Sequence, residues 1–152
     1  MNRTRIQFLK TFGFSTQIPV RISDINYGGH VGNDSILSIL HECRLQWLKQ
    51  FNYTEMNAAG AGLIMADSAI QYRGEAFYGE VLQASLYADE IETFAFNFYY
   101  KLTTVRKEKS MDIAFARTCM VCFDYDQRCK IPIPPSLIEK LMGSSDLDLT
   151  SR

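Results

Sequence analysis

The sequence has almost no net charge: sixteen Lys and Arg against seventeen Asp and Glu leave −1, with both signs interspersed along the chain. No basic face is left over to attract nucleic acid or an anionic membrane, so partners of those kinds are disfavoured. Long apolar runs are missing as well. Nothing approaches the roughly 20 residues needed to span a bilayer, and residues 1–10 carry charges where a signal peptide needs an apolar stretch. The expectation is a soluble cytoplasmic protein with no membrane span. Without an export signal, Cys43, Cys119, Cys122 and Cys129 read as free thiols. Cys119 and Cys122 fall in a strand-like segment, where residues three apart point to opposite faces, so no metal site is expected. Internal repeats and low-complexity blocks are absent.

What is present is enough apolar material for one stable core: 152 residues, 47% of them hydrophobic. A single domain is expected over residues 1–142, with a polar, mobile tail at 143–152. Residues 14–22 read as a first strand. Over residues 34–51, Ile36, Leu37, Ile39, Leu40, Cys43, Trp47, Leu48 and Phe51 recur at steps of three and four, which predicts one long helix with a wide buried face. Four strand-like segments follow at 63–73, 81–91, 94–104 and 111–123. In the first, Ile64, Ala66, Ile70 and Tyr72 share a face at period two. The charged stretch 105–110 has hairpin length, and Pro135 opens a short helix through Leu141. Consecutive antiparallel pairing is the simplest topology. The order predicts an α+β domain, one long central helix packed on a five-stranded, mostly antiparallel sheet. One helix covers only part of such a sheet and leaves edges bare, so a homodimer or a dimer of dimers is expected.

The run from Ser23 to Asp34 holds the chemistry-bearing residues. Twelve residues before the long helix contain two acids, two carboxamides, an imidazole and three glycines. A helix N-terminus presents unpaired N–H groups and partial positive charge, which suits a developing oxyanion. Asp24, Asn26, Asn33 and Asp34 are also ordinary turn and cap residues, and both readings stay open. His30 after two glycines is less easily explained by packing. Tyr27 is either a pocket wall or a loop anchor, and Gly28, Gly29 and Gly32 allow close backbone approach in either case.

Asp24-x-Asn26-Tyr27-x-Gly29-His30-Val31-x-Asn33, followed by Glu42-x-Arg44 on the helix, resembles the hotdog-fold acyl-CoA thioesterases of the 4-hydroxybenzoyl-CoA thioesterase superfamily. Gly79-Glu80 and the Asp124 turn before the prolines extend the resemblance over roughly residues 17–141. The resemblance implies a hotdog fold and hydrolysis of acyl-CoA or acyl-carrier-protein thioesters at a subunit interface. It implies no separate cofactor, coenzyme A being part of the substrate. In the family a loop or helix carboxylate acts as nucleophile or base, and a backbone N–H at the helix start polarises the carbonyl.

This chain departs at Asn26, where the family often carries its catalytic Asp, and an amide cannot take a proton from water. Asp24 is the nearest substitute. His30 resembles the histidine of plant-type acyl-carrier-protein thioesterases, and its neutral ring suits a base. Glu42, about nine residues or roughly 13 Å along the helix, and Asp67, in an otherwise apolar strand, are further carboxylates. The expected arrangement has Val31 or Gly32 N–H on the thioester oxygen and His30, aligned by Asp24 or Asn26, activating water. The remaining alternatives are a hotdog enoyl-CoA hydratase, from Asp24, Asn26 and His30, and a non-catalytic acyl-CoA-binding protein.

Overall fold

A computed structural model describes residues 1–148. In chain order the elements are β1 (Lys10–Phe12), β2 (Phe14–Pro19), a 3-10 turn (Ile22–Asp24), α1 (Asn33–Lys49), β3 (Gly62–Tyr72), β4 (Val81–Asp89), β5 (Ala95–Arg106), β6 (Lys109–Asp124), β7 (Cys129–Lys130), α2 (Pro135–Met142) and β8 (Ser145–Asp148). Helix α1 forms where its periodicity placed it. Ile36, Ile39, Leu40, Cys43, Trp47 and Leu48 are all buried along one side. The Trp47 ring meets Phe98 of β5 edge to face at 5.2 Å, so the helix lies across the middle of the sheet. Leu40 has no exposed surface, and its truncation to Ala would cost about 2–5 kcal/mol.

The main sheet runs β2-β4-β5-β6-β3, with β7 paired to the end of β6, and every pairing is antiparallel. The simple expectation of consecutive pairing fails for β3, which neighbours neither β2 nor β4. After α1 the chain enters the far edge as β3, beside β6, and β4 returns next to β2. The connection between Tyr72 and Val81 therefore crosses three inter-strand spacings, about 14 Å. A tight hairpin cannot span that distance. The crossover runs under the 24–32 loop, and Val31 N–H donates to Ala76 O at 2.9 Å. The β5–β6 connection is the tight hairpin its sequence predicts, with Lys107 and Glu108 both at positive φ, 53° and 65°.

Strand β3 also departs from strict alternation. A register shift between Met65 and Asp67 puts Ile64 opposite Val121 but Ile70 opposite Ala116, so Ile64 and Ile70 lie on different faces. The extra residue of the bulge breaks the period-two pattern that the sequence displays.

The face of the sheet away from α1 is covered in part by residues near both ends of the chain. Phe8 and Phe12 pack against each other at 4.9 Å, Phe8 meets Phe115 at 4.9 Å, and Phe12 meets Tyr87 at 5.0 Å. Within the stretch read as a polar tail, Ser144 is buried, its Oγ accepts from Ala88 N–H at 2.8 Å, and Ser145–Asp148 pair antiparallel with β1. The last four residues of that tail, 149–152, lie outside the described residues.

Candidate active site

Residues 24–32 fold back on themselves as a closed loop. Ile25 and Val31 form an antiparallel bridge, Asn26 N–H donates to His30 O at 2.9 Å, and Gly32 N–H donates to Asp24 O at 3.0 Å. The reversal needs Gly29, whose φ is +84°. Asn26 Oδ1 accepts from Gly28 N–H at 2.9 Å, an Asx turn that holds the amide against its own loop. Asp24 is 5% exposed, and its Oδ2 accepts from Arg21 N–H at 2.8 Å. Both side chains are thus engaged in shaping the loop. Tyr27, at its tip, is fully exposed.

His30 points the other way, into a cavity of about 330 Å³ between the loop, the first turn of α1 and the β3–β4 crossover. Asn33, Ile36, Tyr72, Glu75 and Ile113 line it with the imidazole. Nδ1 lies 3.0 Å from Val31 O, and a carbonyl only accepts, so Nδ1 is the donor of this pair and Nε2 is the nitrogen that faces the cavity. Nε2 lies 3.7 Å from Glu75 Oε1. The Tyr72 hydroxyl donates to Asn33 O at 3.1 Å and closes one wall.

The backbone amides correct the expected oxyanion donors. Val31 N–H is bonded to Ala76 O and Gly32 N–H to Asp24 O, so neither is free for a substrate carbonyl. Gly32 is the N-cap of α1, and its carbonyl takes Ser35 and Ile36 N–H. The first helical amides, Asn33 and Asp34 N–H, precede any intrahelical acceptor and receive no side-chain cap. Among the described residues neither amide has an acceptor, and Asn33 lines the cavity.

The expected alignment of His30 by Asp24 or Asn26 is not what the fold provides. Asp24 lines a second cavity, about 210 Å³, between β2 and α1, together with Ser38, Glu42 and Gln46. Glu42 Oε1 accepts from Gln46 Nε2 at 2.8 Å there. Asp67 is on neither cavity; it accepts from Arg117 Nη1 at 2.9 Å on the sheet face away from α1. The carboxylate facing His30 is Glu75, which no periodicity or motif spacing singled out.

Glu75 is held by its surroundings. Arg106 Nη2 donates to Glu75 O at 3.0 Å and to Glu80 Oε1 at 2.7 Å, and Phe77 N–H donates to Glu80 Oε1 at 2.8 Å. These hydrogen bonds, the Arg106 guanidinium first, keep the Glu80 carboxyl below its ordinary range. Under α1 a different polar chain is buried: Arg44 donates to Glu55 at 3.2 Å and to the Tyr100 hydroxyl at 3.1 Å, which meets Thr118 Oγ1 at 2.8 Å. Burial pushes the neighbouring Cys43 thiol up to about 12, so it stays protonated and inert. Among the described residues no group of three His, Cys, Asp or Glu could hold a metal ion. No helix among them is long and apolar enough to cross a membrane.

Residues 20–141 match the profile of the family described as the Thioesterase-like superfamily. Among solved structures, a 1,4-dihydroxy-2-naphthoyl-CoA thioesterase from Synechocystis is similar at 21% identity and a TM-score of 0.74, over 85% of this chain and 95% of that one. A variant of 4-hydroxybenzoyl-CoA thioesterase in complex with 4-hydroxybenzoyl-CoA is similar at 15% identity and a TM-score of 0.75, over 84% and 97%. A probable thioesterase from Escherichia coli has 22% identity and a TM-score of 0.70, over 87% and 98%. No curated protein sequence matches. At these identities the structures establish the fold, and the long helix wrapped by a curled antiparallel sheet is the hotdog fold.

Proposed function

Because the chain belongs to the Thioesterase-like superfamily, we propose that it hydrolyses acyl-CoA thioesters in the cavity beside the start of α1. The observation that carries this reading is His30. Its Nδ1 is engaged by the Val31 carbonyl, and its Nε2 opens, beside Glu75, into a cavity that Asn33 at the start of α1 also lines.

The thioester oxygen accepts from Asn33 N–H, with Asp34 N–H adjacent and the helix dipole adding favourable potential. His30 Nε2 takes a proton from water as its oxygen attacks the carbonyl carbon. The tetrahedral oxyanion then collapses, the C–S bond breaks, and the electron pair leaves on sulfur as a thiolate. The carboxylic acid carries the water oxygen. Thiolate is a good leaving group, so the imidazole is not required to protonate it before it departs. Glu75 faces the imidazolium formed on the way and offsets its charge.

A hydratase would need Asp24 and His30 to act on one substrate, but their side chains line separate cavities. The hydrolase reading is therefore preferred. Among the described residues nothing pairs with the outer edge of β3, and Met65 to Ser68 are exposed there. Antiparallel addition of the same strand from a second copy would continue the sheet past Tyr72 and close the open side of the cavity, giving a homodimer.

Thiol release from a panel of acyl-CoAs, followed with a thiol-reactive dye, tests the proposal. Wild type is expected to turn over at least one member, and His30→Ala to lower that turnover by about 10²-fold. No release across the panel, with thermal stabilisation by acyl-CoA retained, would identify a binding protein instead.

A further inference from the structure

On the sheet face away from α1, Gln71, Phe115 and Lys101 stand in one row across β3, β6 and β5, since Gln71 is in register with Phe115 and Phe115 with Lys101. Arg73 follows Gln71 by two residues. Its guanidinium carbon lies 4.8 Å from the Phe115 ring centroid, and Lys101 Nζ lies 5.7 Å from the same centroid. Two like charges therefore converge on one ring, at a separation no greater than about one screening length at 0.1 M salt, roughly 10 Å. Among the described residues neither makes an ion pair, although Arg117, Arg106, Arg44 and Lys10 all do. A third cation comes with the N-terminal arm, because Ile6 N–H donates to Gln71 Oε1 at 3.2 Å and places Arg5 next to this row. Phe8 packs on Phe115 and holds the arm down.

The patch is compact. Further along the same face the next cation, Arg117, is neutralised by Asp67 at 2.9 Å, so no basic stripe extends across the sheet. Its position is specific too, since Arg73 also lines the cavity that holds His30. Uncompensated cations at the mouth of a cavity call for a small polyanion whose uncharged arm enters it.

We propose that Arg73 and Lys101, with Arg5 of the arm, bind the phosphates of the substrate's nucleotide, which makes coenzyme A rather than a carrier protein the acyl carrier. This rests on the hydrolase reading for its substrate, while the phosphate site stands on its own geometry. Coenzyme A joins a pyrophosphate and a 3′-phosphate to a flexible pantetheine, so its charge is concentrated at one end and its thioester lies at the other. The nucleotide sits on the Phe115 row, and the pantetheine passes Arg73 into the cavity. A carrier protein would instead spread acidic residues over a wide surface, which this short row does not match.

Two measurements decide it. Adenosine 3′,5′-bisphosphate is titrated calorimetrically into wild type, Lys101→Gln and the Arg73→Gln/Lys101→Gln double variant. Separately, kcat/KM is compared for an acyl-CoA and the same acyl group on pantetheine, which lacks these phosphates. The double variant is expected to bind the bisphosphate about tenfold more weakly, the difference shrinking at high salt. Its ratio of acyl-CoA to acyl-pantetheine kcat/KM should fall by a similar factor, through KM. Bisphosphate affinity that ignores the substitutions, or a parallel loss on both thioesters, overturns the site. A loss confined to acyl-carrier-protein turnover also overturns it. If neither thioester is hydrolysed, the hydrolase reading has failed and the bisphosphate titration alone decides.

Discussion

The Nε2 atom of His30 lies 3.7 Å from Oε1 of Glu75, a residue brought across the end of the sheet by the β3–β4 crossover. The other imidazole nitrogen is held by the Val31 carbonyl, so the ring cannot turn without losing that bond. The relationship pairs an imidazole with a carboxylate on a separate segment.

Glu75→Gln removes the charge but keeps the shape. Turnover of the preferred acyl-CoA is expected to fall about tenfold while the thermal midpoint stays within the wild-type range, because Glu75 is well exposed and its backbone carbonyl still accepts from Arg106. Steady-state kinetics with a parallel melt checks this, and full activity would leave Glu75 without a part in the reaction.

Asn33→Pro tests the oxyanion donor by deleting one N–H. Asn33 is the first residue of α1, where Pro suits the helix, and Gly32 before it is extended at φ −68° and ψ 151°, which Pro accepts. The fold should therefore persist, and kcat should drop about 10²-fold or more. Asn33→Ala, which keeps the amide, serves as the control and should retain most of the activity. Equal kinetics in the two variants would remove this amide from the reaction.

The buried Arg44 bridges α1 to Glu55 and to Tyr100 of β5, with 5% of its surface exposed. Arg44→Ala strands two hydrogen-bonding partners and opens a void, and should cost about 3 kcal/mol in urea unfolding. Tyr100→Phe keeps the ring but deletes its hydroxyl, at about 1 kcal/mol. A loss in Arg44→Ala no larger than in Tyr100→Phe would mean the ion pair adds nothing to packing.

Arg106 holds the Glu80 carboxyl below its ordinary 4.5 in the folded protein. A depressed carboxylate stabilises the fold fully above its unfolded value, and that contribution disappears as pH falls through the folded one. Glu80→Gln should therefore melt below wild type at neutral pH, and the gap should narrow as pH falls below the ordinary carboxylate value of 4.5. Differential scanning calorimetry across that range measures the gap; a pH-independent offset would assign the effect to the amide's hydrogen bonds.

The long helix was legible because its apolar residues repeat at helical steps, and Ile36, Leu40 and Trp47 are buried where that repeat put them. The strands at 81–91, 94–104 and 111–123 were legible for the same local reason. The β3 bulge was not, since one inserted residue reverses which side chains face the helix and leaves no mark in composition. Nor was β8, whose short polar segment resembles a tail until β1 is beside it. At the site, the loop and His30 stood out by residue type. The commitment of Val31 N–H to Ala76 O was hidden, because that acceptor arrives from the crossover.

By itself, then, the sequence determined the five long strands and two helices, the glycine-bearing turn before α1 and the imidazole within it, all of which follow from backbone preferences and side-chain periodicity between near neighbours. Tertiary structure alone decided the strand order, the pairing of His30 with Glu75 rather than Asp24, and which helix amides stay open. Those outcomes depend on contacts between segments far apart along the chain, and such contacts are chosen by the closure and burial of the whole sheet rather than by any local stretch.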